Sequence, residues 1–357
     1  MTWRGFRVLI AIILIALLCK ACLVKDTVPN NQKRIQTESD KLQVNYPAPK
    51  NVTINGIDYL ESTAPIGKFG GELVSSTIGE GPKTFNPFNC KDNTSQTMAS
   101  IMYDGLLTSD PITGQPTPKL AKSFSISPNG KTYTIKLRCG IKWSDGKPIT
   151  ADDVVFTWND IIFAGLGDTS TRDSIVIDGK LPTVKKIDNY TVEFTTPKPF
   201  APFIRMLSTS IAPKHVFMPA IKKGSTYFDS FLSTNTKPSD FVVSGAFKLK
   251  EYVPAQRVVF ERNPNYYEIN SKGQKLPYLD KLVYLIVGDL NNEVLKFEAK
   301  ELDVISLQGS KVARYKSLEP HSDFKLYNLG PDTGTMYLSM NLNNRKNNKG
   351  KDRKSVV

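Results

Sequence analysis

Histidine is scarce in this sequence. His215 and His321 are the only two in 357 residues, and they lie far apart. Neither has a metal-type pattern beside it, so both read as surface or capping residues rather than nickel or zinc ligands. There is no nucleophile elbow, phosphate loop or paired-cysteine metal motif. Cysteine is also rare. Two of the four lie within the first 22 residues, which leaves Cys90 and Cys139 for the rest of the chain. Those two could pair or stay free, and they exclude a disulfide-dense scaffold. No internal repeat is visible. Pro and Gly, 23 each, show no period, which excludes collagen-like and solenoid folds. The apolar run Val8–Leu18 is eleven residues long, too short for a bilayer span of about 20.

The remaining composition is that of a folded protein: 40% hydrophobic, 23% charged and 10% aromatic. The length suits two domains or a discontinuous pair. Acid is outnumbered, giving a net charge of +13. The excess sits at the ends, however: residues 1–21 carry +3 and residues 344–357 carry +5, leaving +5 for the body. A basic stripe for phosphates is therefore not supported, and no nucleic-acid partner is expected.

Arg4 and Arg7 precede the Val8–Leu18 run, as in a secretory signal. The run ends at Cys19-Lys20-Ala21-Cys22, which resembles a bacterial lipobox with Cys22 as the acylated residue. Cys19 and Lys20 stand where small residues are usual. Residues 1–22 are accordingly expected to be a lipoprotein signal peptide, and 23–65, poor in apolar periodicity, a flexible tether.

Farther on, Gly70–Ile78 reads as a strand running into the turn Gly79–Pro82. Thr132–Leu137 alternates, with Tyr133, Ile135 and Leu137 on one face. Thr150 caps a helix whose first turn holds Asp152 and Asp153. Val154, Val155, Trp158, Ile161 and Ile162 form its buried stripe. Tyr190–Phe194 reads as a strand, and Gly245–Tyr252 and Arg257–Glu261 as a strand pair. Leu282–Val287, Asn291–Ala299 and Asp303–Ile305 predict a strand–helix–strand crossover.

Several segments carry a resemblance in order along the chain. They are Tyr103-Asp104-Gly105-Leu106-Leu107, Pro118-Lys119-Leu120-Ala121, Gly130-Lys131-Thr132-Tyr133-Thr134 and Lys142-Trp143-Ser144-Asp145-Gly146, continued by Thr150–Val154. Ser244-Gly245-Ala246-Phe247, Glu261–Tyr267 and Leu276–Asp280 follow. Together they resemble the family 5 extracellular solute-binding proteins, the peptide-binding components of ABC importers. The resemblance implies an α/β fold with an α+β insert: a periplasmic binding protein type II-like lobe with most of its second lobe missing. It places a first lobe at 66–104 plus 201–325 and an inserted α+β domain at 105–200. The second lobe or crossover would start at 326–343. Residues 344–357 are expected to be a disordered or artefactual tail, because Asp352–Val357 matches the translation of a common sequencing adapter.

The implied activity is non-enzymatic. A lipid-anchored monomer, exported to the periplasmic or extracytoplasmic side of a bacterial membrane, would capture peptides. It would pass them to an ABC permease and its ATPase, without a cofactor. Nickel, haem, oligosaccharide or opine binding, or an adhesin or sensor role, are the alternatives. Candidate ligand-binding residues are Asn86, Pro87 and Phe88 after the first strand, Ser244, Gly245 and Ala246 at a turn that permits close backbone approach, and Tyr337 in the crossover. Phe88, Gly245 and Tyr337 also have plain readings as packing, turn and hinge residues. Trp143–Gly146 reads as a fold-setting turn.

Overall fold

The structure is a computed structural model that describes residues 49–110 and 113–328. Cys22 and Tyr337 lie outside these residues. In chain order come the hairpin strands β1 (Lys50–Ile54) and β2 (Ile57–Glu61), β3 (Glu72–Ile78) and helix α1 (Asn93–Met102). The short pair β4 (Leu107–Ser109) and β5 (Pro116–Pro118) follows, then β6 (Ala121–Ile126), β7 (Thr132–Leu137) and helix α2 (Ala151–Phe156). Next are β8 (Thr183–Asp188), β9 (Thr191–Thr195), helix α3 (Lys214–Lys222), β10 (Phe247–Val253) and β11 (Arg257–Arg262). The two-residue β12 (Glu268–Ile269), β13 (Lys281–Val287) and helix α4 (Leu290–Glu298) complete a unit that ends at Leu307. A second unit contains helix α5 (Gly309–Leu318), where Tyr315 packs on Phe324 with ring centroids 5.6 Å apart.

Two four-stranded sheets carry the larger unit. In the lobe sheet the order is β10-β11-β13-β3, antiparallel except for the parallel pair β13–β3. β13 reads Lys-Leu-Val-Tyr-Leu-Ile-Val, nearly unbroken apolar sequence, as suits a strand next to a parallel partner. The insert sheet, β6-β7-β9-β8, is wholly antiparallel. There β7 keeps the expected alternation, burying Tyr133, Ile135 and Leu137. Helix α2 starts at Thr150, whose N–H is taken back by the Asp153 carboxylate at 2.9 Å. A π-helical stretch, Thr157–Phe163, continues it and buries Trp158, Ile161 and Ile162 as anticipated. Asp152 turns outward to Lys186, whereas Asp153 is buried and also accepts from the Lys214 N–H at 2.9 Å.

Three expectations are corrected. First, the tether does not reach residue 65. Residues 50–61 form the β1–β2 hairpin, and β2 pairs in parallel with β12. The hairpin buries Leu60 in the insert's core and Asp58 beneath Lys122 and Cys139. Two residues in alternation suffice for that burial, too few to register as a periodic pattern. Second, Asp303–Ile305 is not a strand. Only Asp303 meets the sheet: its N–H donates to the Val74 carbonyl at 2.8 Å, and its carboxylate accepts from the Val74 N–H at 2.7 Å. Third, the insert's core runs past residue 200 and takes in Phe203, Leu207 and Ile211, with Tyr266 and Tyr267 from the lobe.

Lobe and insert are joined through buried polar groups. Lys119 lies against the Glu268 carboxylate, 2.8 Å from the Tyr266 hydroxyl and 4.0 Å from Asp104. Tyr267 donates its hydroxyl proton to Asp104 at 2.8 Å. Burial pushes the Asp104 carboxyl up despite the nearby ammonium. Burial works against the Lys119 charge, but Asp104, Tyr267 and Glu268 outweigh it and raise its affinity for the proton.

Candidate functional site

In open α/β sheets the carboxyl ends of parallel strands are where ligands bind, because the loops there diverge to leave a crevice. In this lobe those ends are Ile78 of β3 and Val287 of β13, followed by the segments 79–92 and 288–289. Both segments lead into helices capped by aspartate. Asp289 accepts from the Asn291 and Asn292 N–H groups at 2.7 and 2.9 Å. Asp92 accepts from the Ser95 N–H at 2.8 Å. The strand's last residues reach both flanking helices: Ser76 donates to Glu293 of α4, and Thr77 lies 3.1 Å, hydroxyl to hydroxyl, from Thr94 of α1.

The 79–92 segment is held by its own polar groups. Gly81 has φ +87°, a conformation that strains any other residue, and a Cβ there would also have to displace the end of the Ile286 side chain, 2.6 Å away. The Ser95 hydroxyl accepts from the Lys83 N–H at 2.8 Å. Asn86 is fully buried: its N–H goes to the Thr84 hydroxyl, its Oδ1 accepts from the Phe88 N–H at 3.0 Å, and its carbonyl accepts from Asn89 and from the Cys90 thiol. Phe88 is buried edge-on to Phe217, with centroids 5.6 Å apart. Of the three residues singled out here, only Pro87 remains half-exposed. The insert closes one side, where the Asp168 N–H donates to the Phe88 carbonyl at 2.6 Å. Gly167 must be glycine there, since a Cβ would lie 2.3 Å from that oxygen. What faces outward is Glu80, Lys83 and Lys91, with Asn89, Cys90 and Asp92 half-exposed.

The second candidate group has a different place. The Ser244 hydroxyl accepts from the Asp104 N–H at 2.9 Å, and the Gly245 N–H donates to the Met102 carbonyl at 2.7 Å. A Cβ on Gly245 would meet the Ile101 carbonyl oxygen at 2.4 Å. The Ala246 carbonyl accepts from the Asn263 N–H at 2.9 Å. Close backbone approach is thus present, but the group approached is α1 of the same chain. Trp143–Gly146 continues this seam as a turn: the Ser144 N–H donates to the Val243 carbonyl, and Asn265 reaches the Trp143 and Ser144 carbonyls.

Chemically the 79–92 ledge offers backbone groups, short polar side chains and lysines, and no acid–base pair. Cys90 and Cys139 are free thiols. Burial, with Asp92 and Asp168 nearby, pushes the Cys90 thiol up to about 12, so it is not a nucleophile at neutral pH. His215 lies elsewhere, with Nε2 2.7 Å from the Asp145 carboxylate. The residues that sequence reasoning missed are Ser76, Thr77 and Glu293. The run Ser75-Ser76-Thr77, set between Leu73-Val74 and Ile78, was the available signal.

The sequence profile of "Bacterial extracellular solute-binding proteins, family 5 Middle" matches residues 115–356. A "Probable ABC transporter-binding protein" of Deinococcus radiodurans is 36% identical over 242 residues, 66% of this chain and 40% of its own. Among solved structures, the oligopeptide-binding protein AppA of Bacillus subtilis, in complex with a nonapeptide, superposes with a TM-score of 0.56 at 28% identity. It covers 71% of this chain and 46% of its own. The periplasmic binding protein MelB of Agrobacterium fabrum, in complex with stachyose, gives 0.63 at 26% identity, covering 74% and 42%. The chain spans less than half the length of each of these relatives.

Proposed function

This chain belongs to the bacterial extracellular solute-binding proteins of family 5, and we propose that it serves an ABC importer by capturing peptides outside the membrane for a permease and its ATPase. The observation that carries this reading is the likeness, across lobe and insert, to a relative solved with a nonapeptide. The ledge agrees with it. A receptor for varied peptides must recognise what all peptides share, the main chain, and it does so by strand-like hydrogen bonding with hydrated room for side chains. Residues 89–91, half-exposed or exposed and set between buried Asn86 and the half-exposed Asp92 cap, suit that role. Pro87 belongs to the same surface. In this reading Asn86 and Phe88 shape the loop from beneath, and Ser244, Gly245 and Ala246 hold α1 behind it.

A second reading, oligosaccharide capture, is favoured by the likeness to stachyose-bound MelB. Native purification followed by mass spectrometry of released ligand separates the two. A mixture of short peptides is expected. A uniform oligosaccharide would replace the peptide reading with the second one.

A further inference from the structure

The dipeptide Asn-Gly occurs at two turns, and the structure treats them differently. In the β1–β2 hairpin, Asn55 and Gly56 form the two-residue loop, with φ of +50° and +79°. This is the left-handed pair that mirror-type hairpin turns require and that Asn-Gly supplies. Both residues are exposed, and the Asn55 amide makes no hydrogen bond among the described residues. The Gly56 N–H donates to no acceptor among the described residues, and no atom would come within 4 Å of a Cβ at Gly56. Asn129-Gly130 is held instead. Asn129 Oδ1 accepts from the Ser127 hydroxyl at 2.6 Å and the Lys131 N–H at 3.1 Å. The Gly130 N–H donates to the Ser127 carbonyl at 2.8 Å, and Gly130 sits against Pro199.

We infer that Asn55 is a site of spontaneous deamidation, and that Asn129 is protected from the same reaction by its hydrogen bonds. The Gly56 amide nitrogen attacks the Asn55 side-chain carbonyl carbon. The new N–Cγ bond forms as the Cγ–Nδ2 bond breaks, and the Gly56 amide proton leaves with that nitrogen as ammonia. Water then opens the cyclic imide at either carbonyl, giving aspartate or isoaspartate. Nothing is oxidised or reduced, and water is the only co-reactant. The attack requires a nitrogen free of an acceptor, a side chain free to swing, and a turn able to open. The hairpin tip meets the first two conditions directly. It meets the third because β1 is an edge strand with a largely exposed face, where local opening is least costly.

The product has a structural effect. Isoaspartate routes the main chain through an extra methylene in a loop of two residues, next to the closing pair Ile54–Ile57. The following residue, Asp58, accepts from the Thr53 hydroxyl at 2.6 Å, the Lys122 ammonium at 2.9 Å and the Cys139 N–H at 3.0 Å. Conversion at Asn55 therefore loosens the hairpin's hold on the insert.

The test uses the 357-residue chain, aged in mildly alkaline buffer and digested with trypsin. Fragments 51–68 and 123–131 are quantified by mass spectrometry, with enzymatic methylation to mark isoaspartate. In the native chain, conversion at Asn55 is expected to run several-fold faster than at Asn129, with Asn51 in the same fragment unchanged. In urea the two Asn-Gly sites are expected to convert at similar rates. Native conversion at Asn129 as fast as at Asn55 would overturn the inference. So would an unchanged Asn55 over a period in which the unfolded chain converts.

Discussion

Lys119 carries the ionic balance between lobe and insert. It faces Asp104 and Glu268, and both carboxylates are largely removed from water. Lys119→Met would keep the stem's packing and remove the ammonium that Asp104 and Glu268 share. Urea unfolding is expected to show a loss of about 3 kcal/mol, the range for breaking one side of a buried pair. Gly245→Ala fails for a different reason. Its Cβ would fall within 2.4 Å of the Ile101 carbonyl oxygen, which belongs to a packed helix. A loss of about 2 kcal/mol is expected in the same assay. Asp58 sets part of the acid limit. Burial favours its neutral form, but the bonds from Thr53, Lys122 and the Cys139 N–H prevail and hold it below the usual carboxylate range. A lowered folded value means that its contribution is complete at neutral pH. That contribution fades as pH falls from the ordinary carboxylate value through the lowered one. Asp58→Asn should therefore flatten stability against pH on the acid side, as read from thermal melts. An unchanged acid slope would count against this.

Among the elements, α1 links the sheet to the ledge. Its cap Asp92 holds both the Ser95 N–H and hydroxyl, and that hydroxyl in turn receives the Lys83 N–H. Asp92→Ala should cost about 1 kcal/mol of stability and increase amide exchange at Lys83. The regular elements were legible where a period was strong. β7 is identical to its expected span, the α2 start falls on Thr150, and β13 and α4 begin within a residue of expectation. Elements defined by partners rather than by period were not legible. β1 has four exposed positions of five, and the β12 that receives its hairpin is two residues long. Likewise, the seam at Ser244–Ala246 was recognised as a place of close approach. That it approaches α1 depends on the chain folding back over a long separation, which local spacing does not encode. At the ledge, the turn residues after β3 were visible, whereas the roles of Ser76 and Glu293 needed the sheet order.

For the whole molecule, the reading as an exported, lipid-anchored receptor rests on residues before the described body. If Cys22 is acylated, cells expressing the protein should incorporate labelled fatty acid and retain it in the membrane fraction. Cys22→Ala should abolish the label and shift the protein to the soluble fraction. Label retained by the variant would overturn the expectation that Cys22 is the acylated residue. The peptide and oligosaccharide readings share this localisation, so the experiment bears on the anchor and leaves the choice of cargo to the ligand analysis.

The way the body begins has a mechanical corollary. The chain enters at Lys50, opposite Glu61, at the open end of the β1–β2 ladder. Tension arriving through residue 49 thus bears on one rung at a time, Lys50–Glu61 first, instead of shearing all five together. Under an optical trap the ladder would open from this end, against the hold of Arg138 and the Lys122 carbonyl on the Asn51 side chain. Because β2 is separately fastened by β12 and by Asp58, the tug would be spent in β1 before it strained the sheet beneath the ledge.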